Sequence, residues 1–478
     1  MAFTGVAPRQ PPESPRSRLS PCLYSLPLLV VLFFLPAASP QTSWGSTLDA
    51  TSNFFKSTWD SLATYTGYHD FCPFAMDFSE TARRAVQAKI KCQDRALTAI
   101  TTGLSHWEMT LMKDHPRPLV LAFTGPTGVG KTETAHVIAR AILPKTELVG
   151  SGKRPRGLLV FRGEDFADRR ANVTSYIDVI KASLFKHLER CQGHAVVIFD
   201  EVQKVVPGTL DALAEAISEH PTLTYYPAED PRVIHRIDTS HVVFFLISDI
   251  GWEDMLALLV AHGGHAAALP PHLLSQRVKA ALDAQWQRLR CGKMIDTVVP
   301  FLPLSQADMR EVLDVKLAEM SEEHEGRLWA RLETTEEVRA HLVQKPFVKY
   351  VGYGLEDEGE GEDEGEGGGE SEGKDCRAGK EVYWYAEFGA RNLQTGGPLH
   401  ALESAIVENM KPWRPLEVLD VRLNSQTGET ELRWCPQETW MGGKGGEGGA
   451  GTASRLWEEA GATGCDLRWA GDLKLKVG

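Results

Sequence analysis

The chain is 478 residues long, 42% hydrophobic and 24% charged, the profile of an ordinary globular protein with length for more than one domain. Its formal net charge is −13, but ten of its acids lie within Glu356–Glu372 with no base among them, and without that segment only −3 remains. A near-neutral fold lacks the basic footprint of phosphate-backbone binding, so no nucleic-acid partner is expected.

Arg9, Arg16 and Arg18 precede an almost unbroken apolar run, Leu23–Leu35, and small residues follow at Ala37, Ala38 and Ser39. This is the layout of a secretory signal peptide over residues 1–39, cleaved near Ala38–Ser39. A retained signal anchor and an organelle transit peptide are the alternatives. Pro40 sits awkwardly beside the cleavage point, and transit peptides rarely hold so solid an apolar block. The run is short of the ~20 apolar residues a spanning helix needs. Cys22 belongs to this segment. The seven other cysteines are scattered without a C-x-x-C pair, which speaks against a zinc or thioredoxin-like site. Their odd number leaves at least one free or bonded to another chain; in an oxidising lumen some pair, in a pattern that spacing does not specify. Asn172-Val173-Thr174 is a glycosylation sequon.

Residues 40–80 read as a polar lead-in. Helix-like spacing runs from about Thr81 to Met112. Leu119–Phe123 is a short apolar run ending in Thr124-Gly125, the pattern of a buried strand and a turn. Thr132–Leu143 has helical periodicity. Further strands are expected at Leu158–Phe161, Ala195–Phe199 and His241–Ile247, with helices at Tyr176–Leu188 and Leu210–Ile217 between them. Strands alternating with helices imply a parallel sheet covered on both faces, an α/β fold. Val298–Leu304 ends that pattern, so an α/β domain is placed at 81–304. From Gln306 to about Met410 the chain reads mainly as helices, and Leu416–Leu423 with Thr430–Trp434 as a closing β-hairpin, which together make a helical domain at 305–435. Within it, Glu356–Gly373 is dominated by Gly and acidic residues, and residues 355–379 are expected to be a disordered insertion. The Gly-rich tail, 436–478, is expected to be mobile.

Gly125-Pro126-Thr127-Gly128-Val129-Gly130-Lys131-Thr132 fits G-x-x-x-x-G-K-[ST], after a strand and opening a helix. Its glycines let backbone N–H groups turn in around phosphates. Lys131 offers a point charge to the β- and γ-phosphates, and the Thr132 hydroxyl reaches Mg²⁺. Downstream, the apolar strand Ala195–Phe199 delivers Asp200-Glu201 at its C-terminal end. Asp200 is expected to hold the Mg²⁺ and Glu201 to polarise the attacking water. The cofactors implied are ATP and Mg²⁺.

The phosphate loop with its flanks, FTGPTGVGKTETA, resembles the Clp and heat-shock disaggregase branch of AAA+ ATPases, and so does Cys92-Gln93-Asp94-Arg95-Ala96-Leu97, similar to that branch's motif beside the adenine. Phe199–Val205, FDEVQKV, is similar to the torsins, the endoplasmic-reticulum members of the branch. Met294-Ile295-Asp296 with Val299-Pro300-Phe301-Leu302-Pro303-Leu304 resembles the torsin segment that joins core to lid. The resemblance implies an AAA+ core with a helical lid, spanning about Ala88–Glu431 apart from the acidic insertion.

It also implies roles. Ser248-Asp249 falls at the sensor-1 position, where Asp249 replaces an Asn and cannot donate a hydrogen bond as a carboxylate. Gly389-Ala390-Arg391 resembles the Clp sensor-2 motif, with Arg391 reaching the γ-phosphate; torsins place a Cys-Lys pair there. Clp proteins carry an Asn-Arg pair, with the arginine finger, where this chain has Lys293-Met294; Arg288 and Arg290 are out of register. No aromatic Tyr-Val-Gly pore loop lies between Lys131 and Asp200, and Tyr350-Val351-Gly352-Tyr353 is in the lid region. The function implied by the resemblance is that of a torsin-like ATPase of the ER or nuclear-envelope lumen. It would form homo-oligomers, act on a protein substrate, and need a membrane-anchored luminal activator that supplies an arginine. A Clp-like unfoldase and a non-hydrolysing ATP-gated scaffold are the alternatives.

Overall fold

The computed structural model describes residues 72–113, 115–149, 152–227, 232–286, 295–354, 382–394, 396–409, 417–424, 430–436, 468–473 and 475. All of these belong to one unit of the chain, Asp70–Gly478. The expected signal segment, the acidic insertion and Arg288–Met294 lie outside the described residues.

Two helices open the fold, α1 (Phe78–Lys89) and α2 (Asp94–Thr110), followed by β1 (Leu119–Thr124) and α3 (Lys131–Ile142). A short hairpin, β2 (Thr146–Val149) and β3 (Gly152–Pro155), leads into β4 (Leu158–Arg162), α4 (Val173–Arg190) and β5 (Ala195–Asp200). A second hairpin, β6 (Thr222–Tyr225) and β7 (His235–Asp238), precedes β8 (Val242–Ser248), α5 (Trp252–Ala261), α6 (Pro271–Trp286) and β9 (Thr297–Pro300). The main sheet is parallel, in the order β4-β5-β8-β1-β9.

Every residue of β1 and β8 is buried. Alternation along β1 divides them between two cores. Leu119, Leu121 and Phe123 pack with α1, α2 and α3; Val120 and Ala122 pack with Ile180 and Leu184 of α4, Met255 of α5 and Val278 of α6. Burying each such side chain contributes about 1.5–3 kcal/mol before the entropy of ordering is counted. The expected α/β core with a parallel sheet between helices is therefore present.

The remainder is α7 (Gln306–His324), β10 (Arg331–Thr334), α8 (Glu336–Leu342), β11 (Tyr350–Gly354), β12 (Val382–Ala386), α9 (Arg391–Gln394), α10 (Pro398–Asn409), β13 (Glu417–Leu423), β14 (Thr430–Pro436) and β15 (Arg468–Leu473). Ser305 starts α7 with a capping box: its hydroxyl accepts from the Asp308 amide, and Asp308 accepts from the Ser305 amide. Met309 and Leu313 of α7, Leu402 of α10 and Leu419 of β13 join the same core as Leu121 and Phe123.

The expected closing hairpin is β13–β14. The lid holds more strand than its helical periodicity suggested, because β10 adds in parallel to β13 and β15 in antiparallel to β14. β15 comes from the tail expected to be mobile; its pairing is with a strand more than thirty residues away, which a local pattern does not reveal. Tyr350-Val351-Gly352-Tyr353 is strand β11, paired with β12, and the Tyr350 hydroxyl donates to the Val343 carbonyl at 2.7 Å. Leu210–Ile217 is a 3₁₀ turn, Thr209–Leu213, and not the expected α-helix. Gly208 before it is held at φ +90°, and only a short stretch separates it from β6. Cys72 and Cys191 form a disulfide, and Cys92 is free.

Candidate functional site

The strand order puts β8 between β1 and β5, so three strand ends converge: Gly125 after β1, Asp200 at the end of β5, and Ser248-Asp249 at the end of β8. Ligands of open parallel sheets bind at these carboxyl ends. A cavity of about 310 Å³ opens there. Its walls are the Thr127–Glu133 loop and helix start, Asp200, Glu201, Ser248, Asp249 and, from the lid, Ala390, Arg391 and Gln394. Ile90, Leu304 and Val312 add an apolar end.

Two of the loop glycines are required by close approach. A Cβ on Gly125 (φ +150°) would lie 2.3 Å from the Phe301 carbonyl oxygen, and one on Gly128 (φ +80°) 1.9 Å from that of Phe388. Gly130 (φ +99°) has open space but a backbone that L side chains rarely adopt. The lid turn therefore sits on the phosphate loop: the Ala390 amide donates to the Gly128 carbonyl at 2.8 Å, and a Cβ on Gly389 would meet that same oxygen at 2.5 Å. This contact delivers Arg391, the first residue of α9, to the cavity wall.

Lys131 is buried, with its side chain 7% exposed. Its ammonium donates to the carbonyls of Gly125 at 2.5 Å and Pro126 at 2.7 Å, and to Asp249 Oδ1 at 2.8 Å. Burial pulls its pKa down, opposed by the Asp249 carboxylate. Thr132 Oγ1 lies 3.1 Å from both Asp200 oxygens. Burial raises the Asp200 pKa, and the Thr132 hydrogen bond works against that rise. Asp249 Oδ2 accepts from Gln203 Nε2 at 3.2 Å and Thr127 Oγ1 at 3.4 Å.

Glu201 occupies a left-handed backbone conformation, φ 56° and ψ 46°. Gly163 packs beneath it, where a Cβ would stand 2.1 Å from the Glu201 carbonyl oxygen. Lys204 donates to Glu201 Oε2 at 2.8 Å and to Glu164 Oε1 at 2.7 Å. Gln203 and Lys204 do not line the cavity but hold Asp249 and Glu201 by these bonds; the sequence carries them within FDEVQKV, without a role of their own.

Gln93 is buried and clamps the start of the lid linker: Nε2 donates to the Leu302 carbonyl at 2.9 Å and Oε1 accepts from the Leu302 amide at 3.0 Å. It is not among the residues lining the cavity. Asn172 is exposed at the start of α4, where its Oδ1 accepts from the Thr174 amide at 3.0 Å. Lys293 and Met294 lie outside the described residues.

A glycine cradle with a buried lysine, and a hydroxyl facing an acid from the neighbouring strand end, are the donor set for a nucleotide's phosphates and a divalent ion. The parallel sheet flanked by helices fits an α/β P-loop core of the AAA+ type, and these residues are the ones that could hold a nucleotide there.

No family model matches the chain. Chaperone protein ClpB 2 of Parasynechococcus marenigrum is 25% identical over 221 residues, 44% of this chain and 22% of the relative. Chaperone protein ClpB of Aquifex aeolicus is 20% identical over 298 residues, 61% and 28%. ClpB of Chlamydia muridarum is 22% identical over 240 residues, 49% and 25%. The chain thus spans about a quarter of the length of the curated relatives it matches. These similarities indicate a relationship to the Clp AAA+ proteins.

Proposed function

We propose that the chain is a torsin-like AAA+ ATPase of the ER or nuclear-envelope lumen, which binds ATP with Mg²⁺ and remodels a protein substrate or membrane-associated complex as a homo-oligomer. The observation that carries the ATPase part is the convergence of Lys131, Thr132, Asp200, Glu201 and Arg391 on one cavity that the lid helps to wall. In that cavity Thr132 and Asp200 would hold Mg²⁺, which supplies positive charge to the phosphoryl oxygens. Glu201 would polarise the attacking water, Lys131 and the loop amides would bind phosphates, and Arg391 would neutralise charge from the lid side.

The luminal, torsin-like part is supported by FDEVQKV, by the Met294–Leu304 segment, and by the signal-peptide layout with the exposed Asn172 sequon. The Cys72–Cys191 disulfide fits an oxidising compartment. Met294 stands at the arginine-finger position, so turnover would need an arginine from a membrane-anchored luminal activator. A Clp-like protein unfoldase is the second reading, favoured by Arg391 on the cavity wall and by the ClpB relatives.

The test is the steady-state ATPase rate of the purified protein over a wide concentration range, alone and with luminal domains of candidate membrane partners. Slow turnover alone, raised by one such domain and abolished by changing that domain's arginine, is expected. Brisk turnover that rises with the protein's own concentration would overturn the activator reading and favour the Clp-like one.

A further inference from the structure

We propose that Asp249 makes this site discriminate by charge between nucleoside diphosphate and triphosphate: its carboxylate holds Lys131, and a γ-phosphate has to displace it. The inference rests on reading the cavity as a nucleotide site and names which nucleotide state the site favours.

An ammonium has three N–H donors. All three of Lys131 have acceptors here: the Gly125 carbonyl, the Pro126 carbonyl and Asp249 Oδ1. The two carbonyls belong to the loop itself, and Gly125 is fixed against Phe301 by the approach that excludes a Cβ. The side-chain partner is the one that can be exchanged. Asp249 is itself held in place, since Gln203 and Thr127 both donate to its other oxygen. A carboxylate freed from Lys131 therefore stays beside the lysine that an incoming phosphate would bind.

Two anionic groups sharing one cation repel each other, and the energy is larger in a partly desolvated cleft than in water. The β-phosphate of a diphosphate would share Lys131 with Asp249 as well, but a triphosphate brings the additional charge of its γ-phosphate to the same cation, so the carboxylate opposes it more strongly. A neutral amide at this position would impose no such competition. The surroundings would accept one: Gln203 Nε2 faces Asp249 and Gln203 Oε1 is buried with no hydrogen-bond partner, so turning the Gln203 amide over would present an acceptor to the N–H group of an Asp249→Asn variant. The carboxylate is thus a charge placed where the protein could have carried a neutral group of the same shape.

The experiment is calorimetric titration of the full chain with Mg-ADP and Mg-ATP, in a Glu201→Gln background so that ATP is not consumed. Asp249→Asn is expected to raise the ratio of ATP to ADP affinity at least about tenfold, which is about 1.4 kcal/mol, with ADP affinity raised less than ATP affinity. Asp249→Ala should raise the ratio as well, because removal of charge is the cause; it also stands in if the Asn variant fails to fold. An unchanged ratio in both folded variants would overturn the inference while leaving the nucleotide site intact. Binding of neither nucleotide to the parent protein would overturn the nucleotide-site reading, and this inference with it.

Discussion

Gly128 is where the phosphate loop touches the lid, and Gly128→Ala should undock them. Two penalties are legible. The backbone sits at φ +80°, which costs an L residue about 1–2 kcal/mol. The new methyl would also lie 1.9 Å from the Phe388 carbonyl oxygen, so the 388–390 turn must retreat and the Ala390–Gly128 hydrogen bond is lost, another 0.5–1.5 kcal/mol or so. The sum is about 1.5–3.5 kcal/mol. Gly130→Ala is the internal control. Its φ is +99° but its Cβ would meet nothing within 4 Å, so only the strain of about 1–2 kcal/mol should appear. Denaturant unfolding without nucleotide compares the two, and amide exchange at Phe388–Arg391 reports the docking contact directly. Gly128→Ala should lose more stability than Gly130→Ala and speed exchange at those amides. Equal losses, with exchange at Phe388–Arg391 unchanged, would refute the idea that this contact holds the lid.

Three further outcomes are expected. Glu201→Gln should keep ATP affinity and abolish turnover in any assay where the parent protein turns over, since the amide preserves shape but cannot take a proton; retained turnover would remove Glu201 from its role. Cys191→Ser should lower stability by about 2–5 kcal/mol, because the bond to Cys72 closes a loop spanning 119 residues, and reducing agent should lower the melting temperature of the parent protein but not of the variant. His136, His187 and His194 are all pushed below the ordinary value of 6.5, chiefly by burial. The unfolded chain therefore takes up their protons first, and stability should fall as pH drops below 6.5; a flat or rising stability between pH 6.5 and 5 would contradict their burial in neutral form.

The strands of the core were legible because a parallel sheet buried on both faces needs continuous apolar runs, and each of Leu119–Phe123, Leu158–Phe161, Ala195–Phe199 and His241–Ile247 became a strand within a residue or two of its expected bounds. The loop at Gly125–Thr132 and the acids at 200–201 were legible because phosphate and metal chemistry dictates residue types at fixed spacing. What stayed hidden is what depends on distant segments meeting. Gly389 lies far along the chain from Gly128, and nothing in either neighbourhood announces that their backbones touch. β15 pairs across the sequence gap that the tail spans, and the β2–β3 and β6–β7 hairpins have strands of four residues, too short for a periodic signal. Gln93 matched a motif beside the adenine, yet its amide clamps the Leu302 backbone.

The most direct measurement is titration of Mg-ATP into the parent protein and into Lys131→Ala. Lys131 is buried at the loop and points its ammonium toward Asp249 in the cavity, so its removal deletes the loop's own cation and leaves the Asp249 carboxylate facing the phosphates alone. Binding by the parent protein and its loss, or a drop of at least about a hundredfold, in the variant is expected. A parent protein that does not bind ATP, or a folded Lys131→Ala variant that binds it as tightly as the parent, would contradict the assignment of this cavity as the nucleotide site.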